Sequence, residues 1–334
     1  MIEILESPSP PASPAAKRTR VPTAAAEAGG AGPVAAPRTY LVGLQAIAAC
    51  IDDASSTRSA FPRALDVVRA RVDVVRARVD EGSVLTAATG EVDFFTSFGN
   101  FDKKWGCGYR NVQMLLSALL HAEPALVLFG GAARVDDGGT VCVPSIKTLQ
   151  QWLEFAWGGG FDVAGAAQVG AVVGTDEWVG ATEAVALLRH QGLKARVVDF
   201  EWKGGPRRQR QMGDALVEFA KRHFGEVPVS PETRQTALPL LLQWEGHSVS
   251  VVGVAWSRGG DESLLVLDPA LAGAYLTSRM KRTSTSFTAA AYQFAYLDVA
   301  GGVLVGDAER EEGKVVSSEL VLVWRDRVEG RGGI

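Results

Sequence analysis

The stretch KWGCGYRNVQMLLSALL, residues 104–120, decides the fold of this chain, because it sets one cysteine between two glycines at the start of an apolar segment. Apolar side chains recur in it at helical spacing, at Val112, Leu115, Leu116 and Leu119. Polar side chains fall largely on the opposite face, at Arg110, Asn111, Gln113 and Ser117. The pattern predicts an amphipathic helix that begins close to Cys107.

Cys107 has the local setting of a reactive thiol. A helix N-terminus offers unpaired backbone N–H groups and about half a positive charge of helix dipole, and both favour the thiolate over the thiol. We expect Gly106 and Gly108 to leave the sulfur uncovered. The alternative is an inert cysteine packed in the core, which is the commoner position for this residue type.

Composition limits the classes to which the protein can belong. With 334 residues, 47% of them hydrophobic, the chain is long enough and apolar enough to bury a full core. The net charge of -4 gives no reason to expect nucleic acid or an anionic membrane as a partner. We therefore expect protein or small-molecule partners.

The three cysteines, Cys50, Cys107 and Cys142, are sparse and lack CxxC spacing. This set predicts free thiols in a reducing compartment, with no disulfide framework, no structural zinc and no other metal or cofactor. The first residues lack a basic leader with an apolar core, and no run of about 18 apolar residues occurs. We expect a cytosolic or nuclear protein.

Two segments precede the predicted catalytic domain. Residues 1–37, rich in Ala, Pro, Ser and Gly, predict a disordered tail; its basic cluster at 14–21 is either a nuclear import signal or solvated charge. Residues 38–90 predict a helical extension in which the heptad VVRARVD is written at 67–73 and again at 74–80. This helix either docks on the domain or serves as a partner-binding arm.

Residues 91–330 predict one α+β domain, because helices come early and antiparallel strands cluster late. Helical patterns cover 108–121, 144–157, 180–191 and 211–224. Strand patterns cover 194–200, 238–244, 248–256, 263–268 and 319–325.

A cysteine nucleophile needs a histidine, and the chain contains four. His121 follows Cys107 by fourteen residues on the same predicted helix, about 21 Å away at about 1.5 Å per residue, and is out of reach. His190 and His223 end two other predicted helices, which is an ordinary position for histidine. His247 follows a glycine and opens a strand, so we expect it to be the base.

The strand after His247 is followed by a second strand that ends in Asp268. The loop SRGGDE joins them as a hairpin, and a small bulge or asymmetric loop brings His247 and Asp268 opposite or diagonal to each other. Asp268 before a proline is either a turn residue or the acid that orients the imidazole. Together with Cys107, the second reading predicts a papain-like cysteine peptidase fold, with the nucleophile on the helical part and His247 and Asp268 on a mainly antiparallel sheet.

These blocks resemble the ubiquitin-fold-modifier peptidases, in particular the zinc-finger ubiquitin peptidase branch, ZUFSP. The resemblance rests on WGCGYRNVQMLLSALL and four downstream blocks in the same order, at 146–162, 174–200, 245–254 and 264–270, and covers roughly 95–325. It implies a papain-like cysteine peptidase with Cys107 as nucleophile, His247 as base and Asp268 as orienting acid. The sister branch supplies an oxyanion tyrosine where this chain has Phe95, which favours the ubiquitin-directed branch.

The resemblance implies ubiquitin or polyubiquitin chains as the partner, hydrolysed after the C-terminal glycine through a thioester. Because ubiquitin ends in a basic diglycine tail, carboxylates beside a narrow channel are expected, and the candidates are Glu154, Asp176, Glu177 and Glu183. Each of these is otherwise ordinary surface or helix-terminus charge. The oxyanion donors expected are the backbone N–H of Cys107 and the side chain of Asn100.

Three alternatives to a deubiquitinase stay open at this point. One is a peptidase for another ubiquitin-like modifier, such as the ubiquitin-fold modifier. Another is a ubiquitin-binding scaffold without turnover, and the third is an α+β domain with an inert buried Cys107. The zinc fingers of the animal proteins in this branch have no counterpart in the cysteine spacing here.

Overall fold

The computed structural model describes residues 2–6, 84–87, 92–97, 102–202, 208–225, 237–256, 262–271, 281–283, 286–299 and 304–323. Residues 2–6 lie within the predicted tail and form a strand. The rest of that tail, the duplicated heptad and Asn100 lie outside the described residues. Among the helices of the described part, none combines the length and the apolar character needed to cross a membrane.

Six helices occur within the described ranges: α1 (Cys107–Ala122), α2 (Ile146–Gly158), α3 (Val163–Val169), α4 (Ala181–His190), α5 (Arg208–Phe224) and α6 (Asp307–Glu312). Eleven strands accompany them: β1 (Ile2–Glu6), β2 (Val84–Ala87), β3 (Arg134–Val135), β4 (Val141–Cys142), β5 (Ala195–Trp202), β6 (Leu240–Trp244), β7 (His247–Trp256), β8 (Glu262–Leu267), β9 (Lys281–Thr283), β10 (Ala291–Leu297) and β11 (Ser318–Val323).

One nine-stranded sheet organises the described residues, in the order β1-β11-β5-β10-β6-β7-β8-β9. Strand β2 also joins it, by pairing with the second half of β7. Strands β5 and β11 pair in parallel, and every other pairing in this sheet is antiparallel. Strand β7 is the longest, and it pairs with β6, β8 and β2.

The sheet is covered on both faces, which explains why its strands are nearly continuous apolar runs. One hydrophobic cluster packs α1, α2 and α4 against the first face, and a second cluster packs α5 against the other. Neighbouring residues alternate between the clusters: Leu265 belongs to the first and Leu264 to the second, and Ala295 and Phe294 divide in the same way. A single-sided sheet would have shown an apolar-polar alternation instead.

The α+β class and the mainly antiparallel sheet predicted from the sequence are confirmed. The predicted helices and strands are present as α1, α2, α4, α5, β5, β6, β7, β8 and β11, with ends that differ by a few residues at most. The prediction did not include β10, although β10 lies between β5 and β6 near the middle of the sheet. Its alternating aromatics Tyr292, Phe294 and Tyr296 are a strand signal that could have revealed it.

Candidate active site

Helix α1 begins at Cys107, as the sequence predicts, but its glycines have a different function from the one expected. The Cys107 side chain is buried, with 7% of its surface exposed, so Gly106 and Gly108 do not leave it open to solvent. A Cβ atom at Gly108 would lie 2.3 Å from the carbonyl oxygen of Val179. At Gly106 it would lie 2.6 Å from the Cβ of Asp102. The glycines therefore let two other chain segments pack directly against the first turn of α1.

The polar side of α1 is also buried, which corrects the expectation of an amphipathic helix with a polar outer face. Asn111, Gln113 and Ser117 have no exposed surface. Gln113 donates through Nε2 to the carbonyl oxygen of Pro144 at 2.7 Å. Ser117 accepts from the backbone N–H of Asp93 at 3.0 Å. Each of these groups has a protein partner because a buried polar group without one is costly.

Asn111 ties α1 to strand β7 beside Cys107. Its Nδ2 donates to Oγ of Ser248 at 2.9 Å, and its Oδ1 accepts from Oγ of Ser250 at 2.8 Å. All three side chains are buried. Because His247 immediately precedes Ser248 on β7, this contact sets the position of the histidine relative to the cysteine.

His247 and Asp268 are hydrogen-bonded, with Nε2 of His247 2.8 Å from Oδ1 of Asp268. Strands β7 and β8 form the predicted hairpin pair, with a register shift between Val251 and Gly253. Since Ser250 pairs with Leu267, His247 and Asp268 are diagonal neighbours just beyond the paired region. The predicted irregularity therefore occurs, and it lies within β7.

The chain just after Asp268 is fixed by contacts on both sides. Oδ1 of Asp268 also accepts from the backbone N–H of Ala270 at 2.9 Å. The hydroxyl oxygen of Thr96 lies 3.0 Å from the carbonyl oxygens of both Pro269 and Leu271, which share its single proton. These bonds hold the carboxylate at the histidine, and they explain why Asp268 is 5% exposed although it ends a strand.

The electrostatics of the site favour a charged cysteine and a charged histidine. Burial by itself raises the pKa of the Cys107 thiol, but hydrogen bonds with His247 and Ser248 and the charge of His247 outweigh it, so the pKa lies below its usual value. Burial lowers the pKa of His247, but hydrogen bonds and attraction to Asp268 and Cys107 raise it to about 9. Between those two pKa values the pair exists as thiolate and imidazolium.

The other three histidines make contacts away from Cys107. Nε2 of His121, at the far end of α1, lies 3.2 Å from Oδ1 of Asp93. His190 lies among aromatic rings, and burial together with a nearby arginine lowers its pKa to about 4. Nε2 of His223 lies 2.8 Å from the carbonyl oxygen of Leu238. Only His247 of the four forms hydrogen bonds with both Cys107 and Asp268.

The four predicted tail-binding carboxylates differ in their surroundings. Oε1 of Glu154 accepts from the backbone N–H groups of Val172 and Val173 at 2.8 and 2.9 Å. Oε2 of Glu183 accepts from the N–H of Gly180 at 2.7 Å, and burial raises the pKa of Glu183. Both carboxylates hold backbone in place, so a contact with a substrate would have to compete with these bonds.

Asp176 and Glu177 are exposed, as is Trp178, which has 44% of its surface accessible. These residues directly precede Val179, whose carbonyl oxygen packs against Gly108. They therefore lie on the segment that borders the first turn of α1. Phe95, which stands at the position of the sister branch's tyrosine, is partly buried against the core.

Two residues near Cys107 were missed by the sequence prediction. Ser248 forms hydrogen bonds with Cys107 through its side chain and its backbone. Gln243 pairs with Ser248 across β6 and β7, and the two side chains share the face of the sheet that α1 covers. No pattern in the sequence distinguishes these polar residues from others on strands.

Gln243 carries a buried amide oxygen, Oε1, without a hydrogen-bond partner among the described residues. A Cβ atom at Gly180 would lie 2.8 Å from Nε2 of Gln243, so the amide also touches the segment that packs on Gly108. Two independent contacts therefore bring Gln243 to the start of α1. Within the described ranges, no group of three or more His, Cys, Asp or Glu side chains is arranged to hold a metal ion.

Comparisons with known proteins show the family to which the chain belongs. The model of peptidase family C78 matches residues 82–295, more than half of the chain. The chain belongs to this family, whose members are cysteine peptidases. The resemblance predicted from the sequence is therefore confirmed.

Several characterised proteins are similar to about half of this chain. It is 37% identical to zinc finger-containing ubiquitin peptidase 1 of Mus musculus, over 53% of this chain and 29% of that protein. It is 36% identical to the Homo sapiens protein of the same name, over 53% of this chain and 28% of that protein. It is 34% identical to ubiquitin carboxyl-terminal hydrolase mug105 of Schizosaccharomyces pombe, over 54% of this chain and 66% of that protein.

The aligned region thus spans less than a third of the length of the mammalian relatives. Among solved structures, a crystal structure of UfSP from C. elegans is 18% identical with a TM-score of 0.43, and the match covers 64% of this chain and 34% of that one.

The packing at Gly108 gives a first testable prediction. Gly108→Ala would put a methyl group against the Val179 carbonyl oxygen, and we expect it to destabilise the protein by about 1–3 kcal/mol, as overpacking does. Gly158→Ala is the matched control, because a Cβ at Gly158 meets nothing within 4 Å. Urea unfolding followed by tryptophan fluorescence measures both. Equal stability of the two variants would show that the approach of Val179 is not tight.

Proposed function

We propose that this protein is a deubiquitinase that hydrolyses peptide or isopeptide bonds after the C-terminal glycine of ubiquitin, acting on polyubiquitin chains. The observation that carries the proposal is a buried thiol at a helix N-terminus that is hydrogen-bonded to a histidine, which is itself 2.8 Å from a buried aspartate. The substrate is supported by the names of the relatives, which are ubiquitin peptidases and a ubiquitin hydrolase.

In this mechanism the two nitrogens of His247 have separate roles. Nε2 bonds Asp268, so Nδ1 is the nitrogen that remains for the Cys107 thiol. Asp268 fixes the tautomer and stabilises the imidazolium, as the acid of a catalytic triad does. The proton of Cys107 moves to Nδ1, which gives the ion pair favoured by the pKa directions of the two groups.

The reaction then proceeds in two steps, formation of a thioester and its hydrolysis. The Cys107 thiolate attacks the carbonyl carbon of the terminal glycine, the C–N bond breaks, and His247 gives its proton to the leaving amine. Neutral His247 next takes a proton from water, whose oxygen attacks the thioester. The C–S bond breaks, ubiquitin leaves as the carboxylic acid, which releases its proton to solvent, and the thiolate–imidazolium pair is restored.

Two donors are available for the oxyanion of each tetrahedral intermediate. The first is the backbone N–H of Cys107, one of the four N–H groups at the start of α1 that lack an intrahelical partner. The second is the amide of Gln243, because no hydrogen bond to Oε1 fixes its orientation and it lies beside Ser248. In this proposal Gln243 has the role that the sequence resemblance assigns to a tyrosine in the sister branch; Asn100, predicted from the sequence for the same role, lies outside the described residues.

Recognition of the ubiquitin tail is assigned to the segment that packs on Gly108. Val179 packs closely on Gly108 beside the nucleophile, which suits two glycines and disfavours side chains. Asp176 and Glu177 are exposed on the same segment, where they can attract the basic residues that precede the diglycine. The carboxylates of Glu154 and Glu183 hold the chain on either side of this segment by accepting hydrogen bonds from backbone N–H groups.

The two other functions considered are a peptidase for another ubiquitin-like modifier and a scaffold that binds ubiquitin without turnover. A peptidase for another modifier would use the same chemistry and would differ only in the C-terminal tail that it recognises. A scaffold has no need of a cysteine whose pKa lies below its usual value, so the electrostatics of Cys107 and His247 favour an enzyme.

The proposal predicts covalent capture of ubiquitin. Ubiquitin with an electrophilic C-terminus is expected to form one stable adduct with the protein, detected by intact mass. Cys107→Ala should abolish the adduct and His247→Ala should slow it strongly, whereas Cys142→Ser should leave it unchanged, because the Cys142 thiol on β4 contacts the carbonyl oxygen of Thr140 and the thiol bonded to His247 is that of Cys107. An adduct that persists in Cys107→Ala contradicts the assignment. Reaction only with a ubiquitin-fold-modifier probe supports the other peptidase.

Gln243 gives a kinetic prediction. Gln243→Leu removes one oxyanion donor, so we expect kcat on a fluorogenic ubiquitin substrate to fall by about 10²–10³ with little change in KM. Gln243→Glu keeps the shape of the side chain but brings a negative charge towards the oxyanion, so kcat should fall at least as far as in Gln243→Leu. Urea unfolding of both variants checks that the fold is retained. Unchanged kcat in Gln243→Leu would exclude this residue as the second donor.

The acidic segment gives a prediction about substrate binding. The double variant of Asp176→Asn and Glu177→Gln should raise KM for ubiquitin substrates by up to about fivefold per charge, with kcat nearly constant, because exposed ion pairs contribute about 0.2–1 kcal/mol each. Glu311→Gln together with Glu312→Gln on α6 removes two exposed charges elsewhere and is the matched control. A rise in KM of the same size in both double variants would point to net charge instead of a tail contact.

A further inference from the structure

A chain of three buried polar side chains leads from the core to Cys107. Oγ of Ser250 lies 2.8 Å from Oδ1 of Asn111, and Nδ2 of Asn111 lies 2.9 Å from Oγ of Ser248. Ser248 in turn forms a side-chain hydrogen bond with Cys107. The exposed fractions of Ser248, Asn111 and Ser250 are 1%, 0% and 1%, so the chain is closed to solvent.

The direction of these hydrogen bonds follows from a count of donors and acceptors. Ser250 donates its hydroxyl proton to Oδ1 of Asn111, which leaves Nδ2 to donate to Ser248. Oγ of Ser248 is thus used as an acceptor, and its own proton is free to point at the sulfur of Cys107.

The opposite orientation of the Asn111 amide is unfavourable. It would make Ser250 an acceptor and leave its hydroxyl proton without a partner among the described residues. It would also draw the Ser248 proton to Asn111 and away from Cys107. Two buried groups would then lose their hydrogen bonds, at a cost of about 1–3 kcal/mol each. Only the first orientation satisfies all three side chains.

We propose that the Ser248 hydroxyl donates a hydrogen bond to the Cys107 thiolate, held in that direction by Asn111 and Ser250. This inference rests on the proposed function in treating Cys107 as the nucleophile. Ser248 touches the reacting sulfur and is therefore a catalytic residue, whereas Asn111 and Ser250 are positioning residues. The arrangement adds a neutral donor to the histidine of the triad.

The Ser248 hydroxyl is needed because the site is nearly closed to water. A thiolate with 7% exposure has almost no water to stabilise its charge, so the protein must supply the donors. His247 supplies one and the Ser248 hydroxyl another, on separate atoms, and Ser248 also contributes through its backbone. The two donors can hold the sulfur in one direction for attack, which a single histidine on a strand end would not ensure.

The experiment must separate the effect of the Ser248 hydroxyl on Cys107 from the effects of the charged groups nearby. On the sheet side, His247 bonds Cys107, and Asp268 bonds His247. On the helix side, Asp102 and Arg110 form an ion pair with Nε and Oδ2 2.7 Å apart. None of these groups changes in the variants below, so a shift in the titration of Cys107 reports the lost hydroxyl.

The test is the pH dependence of Cys107 alkylation by iodoacetamide, read by peptide mass so that the three cysteines are distinguished. In Ser248→Ala the midpoint for reaction is expected to move up by about one to two pH units, because hydrogen bonds to charged groups are the strong ones. Ser248→Thr retains the hydroxyl and should restore the native midpoint. Ser250→Ala should move it in the same direction by less.

Ser117→Ala is the matched control. Ser117 is also a fully buried serine with two hydrogen bonds, but it lies ten residues beyond Cys107 on α1. We expect it to lower the stability without moving the midpoint. An unchanged midpoint in Ser248→Ala, or an equal shift in Ser117→Ala, would overturn the inference.

The acid limb of kcat/KM against pH gives a second readout and should move with the alkylation midpoint. The limb set by His247, whose pKa is about 9, should stay near its native position. Alkylation needs no ubiquitin, so it tests Ser248 by itself. If the ubiquitin probe fails while the alkylation midpoint still shifts, the proposed function is wrong and the hydrogen bond to Cys107 stands.

Discussion

The burial of nearly all of helix α1 is the constraint on which the rest of the structure depends. The buried polar side chains of this helix have no solvent to bond, so each of them needs a partner of the right kind at the right place. Asn111 meets Ser248 and Ser250 on β7, Gln113 meets the carbonyl oxygen of Pro144, and Ser117 meets the backbone of Asp93. These contacts permit only one position of the helix on the sheet, and that position brings Cys107 to His247.

The same burial governs the chemistry of the site. In a medium of low polarity a lone thiolate would be unstable, and burial alone would keep Cys107 protonated. The pKa of Cys107 nevertheless lies below its usual value, because His247 and Ser248 each form a hydrogen bond with Cys107 and Asp268 bonds His247 at 2.8 Å. Cys107 and His247 are therefore charged before any substrate binds.

Close backbone packing also holds the segment before α4 against the charged groups of the site. Gly108 admits the carbonyl oxygen of Val179 to the first turn of α1, and Gly180 admits the amide of Gln243. The segment that carries Asp176, Glu177 and Trp178 is therefore held against the nucleophile by positions where only glycine fits. The selectivity proposed for a glycine-ended substrate and the stability of the helix N-terminus depend on the same contacts.

The sequence by itself determined those features that short-range patterns encode. Helical periodicity located α1 and its start at Cys107, apolar runs located five strands of the main sheet, and a glycine-containing loop between two of them placed His247 and Asp268 on one hairpin. Elimination among four histidines was possible because His121 lies too far along its helix from Cys107 and because His190 and His223 end two other helices. The tertiary structure alone decided that the polar side of α1 is buried, that the glycines admit neighbouring backbone, and that Gln243 and Ser248 adjoin the nucleophile. The physical reason is distance along the chain: Asn111 and Ser248 are 137 residues apart, and a contact of that kind leaves no periodic signal in either segment.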